Sequence, residues 1–178
     1  MVFVRESFRV FWAVAALAVV LFGQSRPKDV DGWDKIQWGM TMAEARSAYD
    51  VDAKPATKDE WTLLELKPVH LSGVQMGVQV GAREGAGKIS LVRLWSFFGL
   101  PSSPPLARPQ DFDTLKATLI QKYGQPAKEE MKRGGENTHL FKTALWMFPS
   151  TSISLSLEQS TALPNLGTIY LEYTATGN

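Results

Sequence analysis

The chain has 178 residues, with 19 Lys and Arg against 18 Asp and Glu, two His and no Cys. The lack of cysteine excludes disulfides, thiol nucleophiles, thiolate metal sites and the lipid-bearing Cys of a lipoprotein. A near-balance of charge without any basic cluster removes the electrostatic basis for binding nucleic acid, because nonspecific affinity comes from neutralised phosphates.

Residues 10–23 (VFWAVAALAVVLFG) form an uncharged apolar run behind Arg5 and Arg9. With small residues Gly23 and Ser25 ahead of Arg26, the pattern is that of a secretory signal peptide over 1–25, cleaved at Ser25–Arg26. The run is shorter than the roughly 18–20 apolar residues a membrane-spanning helix needs. Left uncleaved, it is the one segment that would anchor the chain in the inner membrane. Outside the leader 1–25, 17 basic and 17 acidic residues balance, and the expected location is periplasmic or extracellular.

From 26 to 34 the chain is polar and reads as loose, and 35–38 alternates briefly. Thr41 with Glu44 three residues on is a capping box, so a short helix is expected over 41–49 with Met42, Ala45 and Tyr49 near one face. Residues 50–60, with Pro55 and several charges, read as a loop. Strands follow at 61–67, 74–80 and 88–98; Val74, Met76, Val78 and Val80 alternate onto one face.

Residues 99–110 (GLPSSPPLARPQ) hold four prolines and form the best internal boundary. Asp111 is expected to cap a second helix over 112–123, with Phe112, Leu115, Leu119 and Tyr123 on one face. Gly124 and Pro126 supply its stop. Strands are expected at 127–132, 138–148, 151–158 and 168–174, with turns at Gly134-Gly135 and Pro149-Ser150.

The two halves, 26–98 and 111–178, therefore read alike. The expected fold is α+β, two helix-plus-antiparallel-meander units in tandem, with the helices on one sheet face and the other face wet. Residues 26–178 form either one domain or these two units. Whether the strands form one continuous sheet or two stays open at this level.

Trp38-Gly39-Met40-Thr41 with Glu44, and later Lys122-Tyr123-Gly124-Gln125-Pro126, carry a resemblance. This helix start and helix end resemble those of small exported proteins of the β-lactamase-inhibitor-like group, which includes the small lipoprotein of the outer-membrane assembly machine. The chain lacks the lipobox of the latter and the paired cysteines of the secreted inhibitors. The resemblance implies a noncatalytic module that contacts another protein through its sheet face or loops.

Catalytic patterns are missing. His70 and His139 have no H-E-x-x-H or neighbouring ligand, and zinc needs three or four. Residues 81–90 (GAREGAGKIS) depart from a phosphate loop at Ala82 and Ile89 and read as a hairpin turn. Ser152, Ser154 and Ser156 sit in no nucleophile motif and alternate with Ile153, Leu155 and Leu157, as on a wet strand face. Glu129 and Glu130, being adjacent, point to opposite faces of a strand. No metal, no cofactor and no enzymatic activity are expected.

Aromatics are the remaining clue. Trp61, Trp95, Trp146 and Tyr170 lie on different strands, and core packing explains such residues in general. Arg93 and Trp95, however, share a strand face. If that face is outward they join Gln75, Gln79, Tyr170 and Glu172 in a polar-aromatic surface suited to a partner. Alternatively, Trp95 covers Gly77 or Gly81 on a neighbouring strand. The expected function is an exported protein-binding module. The alternatives are an exported hydrolase without a recognisable motif and a small-molecule or lipid binder.

Overall fold

The computed structural model describes residues 29–98, 107–134 and 138–177. The apolar run at 10–23, the Ser25–Arg26 bond, most of the Pro-rich connector and Gly135 lie outside the described residues. Ten strands and two helices follow in order: β1 (Gly32–Trp33), β2 (Ile36–Gln37), α1 (Met42–Tyr49), β3 (Ala56–Lys58), β4 (Trp61–Leu71), β5 (Val74–Arg83), β6 (Ile89–Phe98), α2 (Asp111–Tyr123), β7 (Lys128–Gly134), β8 (His139–Met147), β9 (Thr151–Ser160) and β10 (Gly167–Ala175).

The tandem α+β arrangement expected from the sequence is overturned. Among the described residues the protein is mostly β, with more than half of them in strands and only two short helices. Eight strands form one antiparallel sheet in the order β3-β4-β5-β6-β10-β9-β8-β7. What makes it one sheet is a long-range ladder: Gly167–Thr174 of β10 pair with Leu91–Phe98 of β6 over eight positions. Two free edges are buried by this junction, leaving β3 and β7 as the outer strands.

Several elements are longer or more numerous than their sequence pattern suggests. β4 continues through Pro68 because a bulge between Leu66 and Val69 accommodates a residue that cannot donate to the ladder. The charged stretch expected as a loop contains β3, paired through Lys58↔Trp61. Gly32 and Trp33 pair with Gln37 and Ile36 inside the segment expected as loose. At the β4–β5 hairpin Ser72 and Gly73 both have positive φ, the two-residue turn whose twist matches its strands.

The capping box forms: the Glu44 N–H donates to Thr41 Oγ1 at 3.2 Å and the Thr41 N–H to Glu44 Oε2 at 2.7 Å. These bonds hold the Glu44 carboxyl below its ordinary pKa. Asp111, by contrast, is not the cap of α2. Gln110 occupies that position without a side-chain bond, and the Asp111 carboxylate accepts the Arg108 N–H at 2.7 Å.

Both helices pack on the same sheet face. Ala45 of α1 and Phe112, Leu115 and Leu119 of α2 join Leu64, Val78, Val80, Val92, Leu94, Ile153, Leu155 and Leu171 in a single buried cluster. Each such Leu or Val contributes about 1.5–3 kcal/mol by leaving water. The segment before α1 closes one end of this layer. Trp38 Nε1–H donates to Thr151 Oγ1 at 2.6 Å, Thr151 Oγ1–H donates to the Val30 carbonyl, and Asp29 accepts the Ser150 N–H at 3.0 Å. Tyr49 O–H donates to Asp34 at 2.8 Å, and burial followed by this bond raises its pKa.

Candidate functional site

The side chains of the large sheet alternate, so the register fixes what the second face presents. Pairings Gln79↔Arg93↔Glu172 and Gly77↔Trp95↔Tyr170 place two rows side by side across β5, β6 and β10. Gln75 lies two residues before Gly77 on the same face. All six residues singled out in the sequence, Gln75, Gln79, Arg93, Trp95, Tyr170 and Glu172, are thus brought onto one face, and each is half-buried. The cross-strand neighbours Arg93 and Glu172 form an ion pair at 2.5 Å with side-chain exposures of 41% and 34%.

Both roles considered for Trp95 bear on its position. A Cβ at Gly77 would stand 2.7 Å from the Trp95 ring, so the indole lies directly over that glycine. Gly81 is covered instead by Trp61, Leu63 and Leu91. Trp146 is core and donates its indole N–H to the Gly124 carbonyl at 2.8 Å. Core packing therefore accounts for Trp146, while Trp61, Trp95 and Tyr170 belong to the second face.

That face also contains features the sequence reading did not select. A groove of about 670 Å³ is lined by Lys58 at the end of β3, Asp59 and Glu60 of the β3–β4 turn, Trp61 and Leu63 of β4, Gln79 of β5, and Leu91, Arg93, Glu172 and Thr174 across from it. The Arg83 guanidinium stands 5.7 Å from the Trp61 ring centre. Exposed Phe97, Phe141 and Met147 share the face, through Phe97↔Thr168, Phe141↔Glu158 and Met147↔Ser152. Parity with Trp95 was the available signal for Phe97. For Phe141 and Met147 no signal existed, because 138–148 does not alternate cleanly.

Ser152, Ser154 and Ser156 are half-buried on this face, with Ile153, Leu155 and Leu157 buried on the other. Glu129 and Glu130 diverge as expected: Glu129 pairs with Lys116 of α2 at 2.9 Å, and Glu130 with Lys128 and Lys132 of its own strand. Those two ammonium groups pull the Glu130 pKa down to about 2. Residues 84–88 join β5 to β6 as a turn, with Gly85 and Gly87 at positive φ.

His70 is exposed on β4; His139 is half-buried at the start of β8, 3.2 Å from Thr138 Oγ1. Among the described residues no group of three His, Asp or Glu could hold a metal. No described helix is long and apolar enough to cross a membrane. Comparison with protein-family models, with curated proteins and with solved structures finds no match for this chain.

Proposed function

We propose that this chain is a noncatalytic, exported protein-binding module that engages another envelope or extracellular protein through the open face of its eight-stranded sheet. One observation carries the reading. Trp95, Tyr170, Arg93 and Glu172 form contiguous rows on the face opposite both helices, with the Trp61 groove beside them. Trp, Tyr and Arg are the residues that anchor interfaces. Seated on long paired strands, they are held in place before a partner arrives, which reduces the ordering cost of binding.

The electrostatics support the same reading. An ion pair as exposed as Arg93–Glu172 contributes about 0–1 kcal/mol to folding. A partner that offers its own acceptor and donor can therefore draw on both charges at little expense to the fold. Phe97, Phe141 and Met147 add apolar area farther along the sheet. The resemblance of the helix start and end to the β-lactamase-inhibitor-like group favours protein contact over turnover, and the apolar run at 10–23 favours export. The groove supports a second reading, a bound small molecule, which native mass spectrometry of the purified protein would reveal.

Affinity capture from the envelope of the producing cell tests the main reading. The expected partner is lost with Arg93→Ala/Trp95→Ala and with Tyr170→Ser, while circular dichroism and the unfolding midpoint of Tyr170→Ser stay close to the parent. Retention of the partner by all these variants would refute it. N-terminal sequencing of the recovered protein should begin at Arg26.

A further inference from the structure

The two outer strands of the sheet differ in a way that bears on self-association. β3 is three residues long, too short to template another strand. β7 runs for seven residues, Lys-Glu-Glu-Met-Lys-Arg-Gly, with β8 on one side and, among the described residues, no strand on the other. Met131 at its centre is 71% exposed, the most exposed of the large hydrophobic residues among those described. Charged residues on an edge normally discourage pairing. Here their order does something more selective.

We infer that β7 pairs antiparallel with β7 of a second copy of this chain, about a two-fold axis at Met131. Such an axis runs normal to the sheet, so each side chain meets one on the same face of the neighbouring strand. Met131 then faces Met131 of the other copy. Glu130 stands opposite Lys132, Glu129 opposite Arg133 and Lys128 opposite Gly134, each twice. Four opposite-charge pairs flank one apolar contact. Centred on Lys128, Glu129, Glu130, Lys132 or Arg133, the pair would set that charge against its own copy, and centred on Gly134 only the end of the strand would overlap. The sequence of the strand thus specifies a single register.

The rest of the fold leaves room for this junction. α2 packs over β9, two strands in from the edge. Across the axis the two α2 helices stand five strand spacings apart, about 24 Å. That exceeds the ~10 Å diameter of a helix. Glu130 already lies between Lys128 and Lys132 of its own strand, which keeps it charged and ready to face the incoming Lys132. The product would be one continuous sheet of sixteen strands with both open faces on the same side.

Sedimentation equilibrium of the protein as recovered from its producing cell should show a monomer–dimer equilibrium that weakens as salt is added. Glu130→Lys and Lys132→Glu should each raise the dimer Kd by about tenfold or more. Mixing those two variants should restore association as a heterodimer, because opposite charges then meet at both positions. The chain has no cysteine, so Met131→Cys supplies one thiol per copy at the axis. Mild oxidation should link it into a covalent dimer, whereas Arg133→Cys, standing opposite Glu129, should not link. If a charge variant fails to fold, the pair of cysteine variants decides alone. A monomer at millimolar concentration, a dimer indifferent to both reversals, or no cross-link from Met131→Cys would overturn the inference.

Discussion

Glu130 and Gly77 show what single residues do in this sheet. Lys128 and Lys132 lie within 2.6 Å of the Glu130 carboxylate and lower its pKa from an ordinary 4.5 to about 2. In the unfolded chain that carboxyl takes its proton near the ordinary value, and in the folded chain much later. Its contribution to stability is therefore complete above about pH 4.5 and is lost as the pH falls towards 2. An NMR titration should find Glu130 ionised well below pH 4, and Lys132→Ala should move its midpoint upward. Gly77 is fixed by a different force. The Trp95 indole occupies the volume a Cβ would need, so Gly77→Ala must push the ring off the strand. The expected cost is about 1–3 kcal/mol, seen as a lower urea midpoint with unchanged slope.

Among elements, α1 and β10 depend on opposite kinds of information. The start of α1 is written locally: Thr41 and Glu44 exchange bonds within four residues, and Thr41→Ala should cost about 1 kcal/mol. β10 depends on its neighbours. A Cβ on Gly167 would come within 2.1 Å of the Phe98 ring and 2.4 Å of the Glu158 carbonyl oxygen, so Gly167→Ala should cost about 3 kcal/mol or more, measured by chemical denaturation. This contrast explains what could be read in advance. Strands with clean alternation, such as Val74 to Val80 and Ile153 to Leu157, and helices with marked ends were legible. β3 was not, because Ala56, Thr57 and Lys58 are all exposed and offer no apolar face, and only pairing with Leu63, Thr62 and Trp61 makes them a strand. Pro68 concealed the second part of β4, since its missing N–H is tolerated only at a bulge.

For the whole molecule, the decisive feature is that two similar runs of strands share one sheet and one core. Nothing in residues 91–98 or 167–174 announces that they pair with each other; register between distant segments is a property of the folded assembly. The six surface candidates were legible as same-face residues within each strand, yet their union across β5, β6 and β10 required that junction. It also sets the cooperativity. Because Leu94, Leu171 and Leu155 belong to one buried cluster, unfolding followed by tryptophan fluorescence and by far-ultraviolet circular dichroism should coincide. Leu94→Ala should lower the common midpoint by the equivalent of about 2–5 kcal/mol without splitting the transition.

The β6–β10 ladder has a further effect, on the order of events in time. Every other ladder of the large sheet joins strands that are consecutive in the chain, so each can zip from its own turn. Arg93 and Glu172 are 79 residues apart, and bringing them together closes by far the longest loop in the sheet. Slow, non-local pairings of this kind set the pace of folding. Until that step, Ile89–Phe98 waits with one edge bare, a strongly strand-forming decapeptide in which Arg93 is the single charge. The side chain at the centre of the open face is then also the gatekeeper that keeps the half-folded chain from sticking to its own kind.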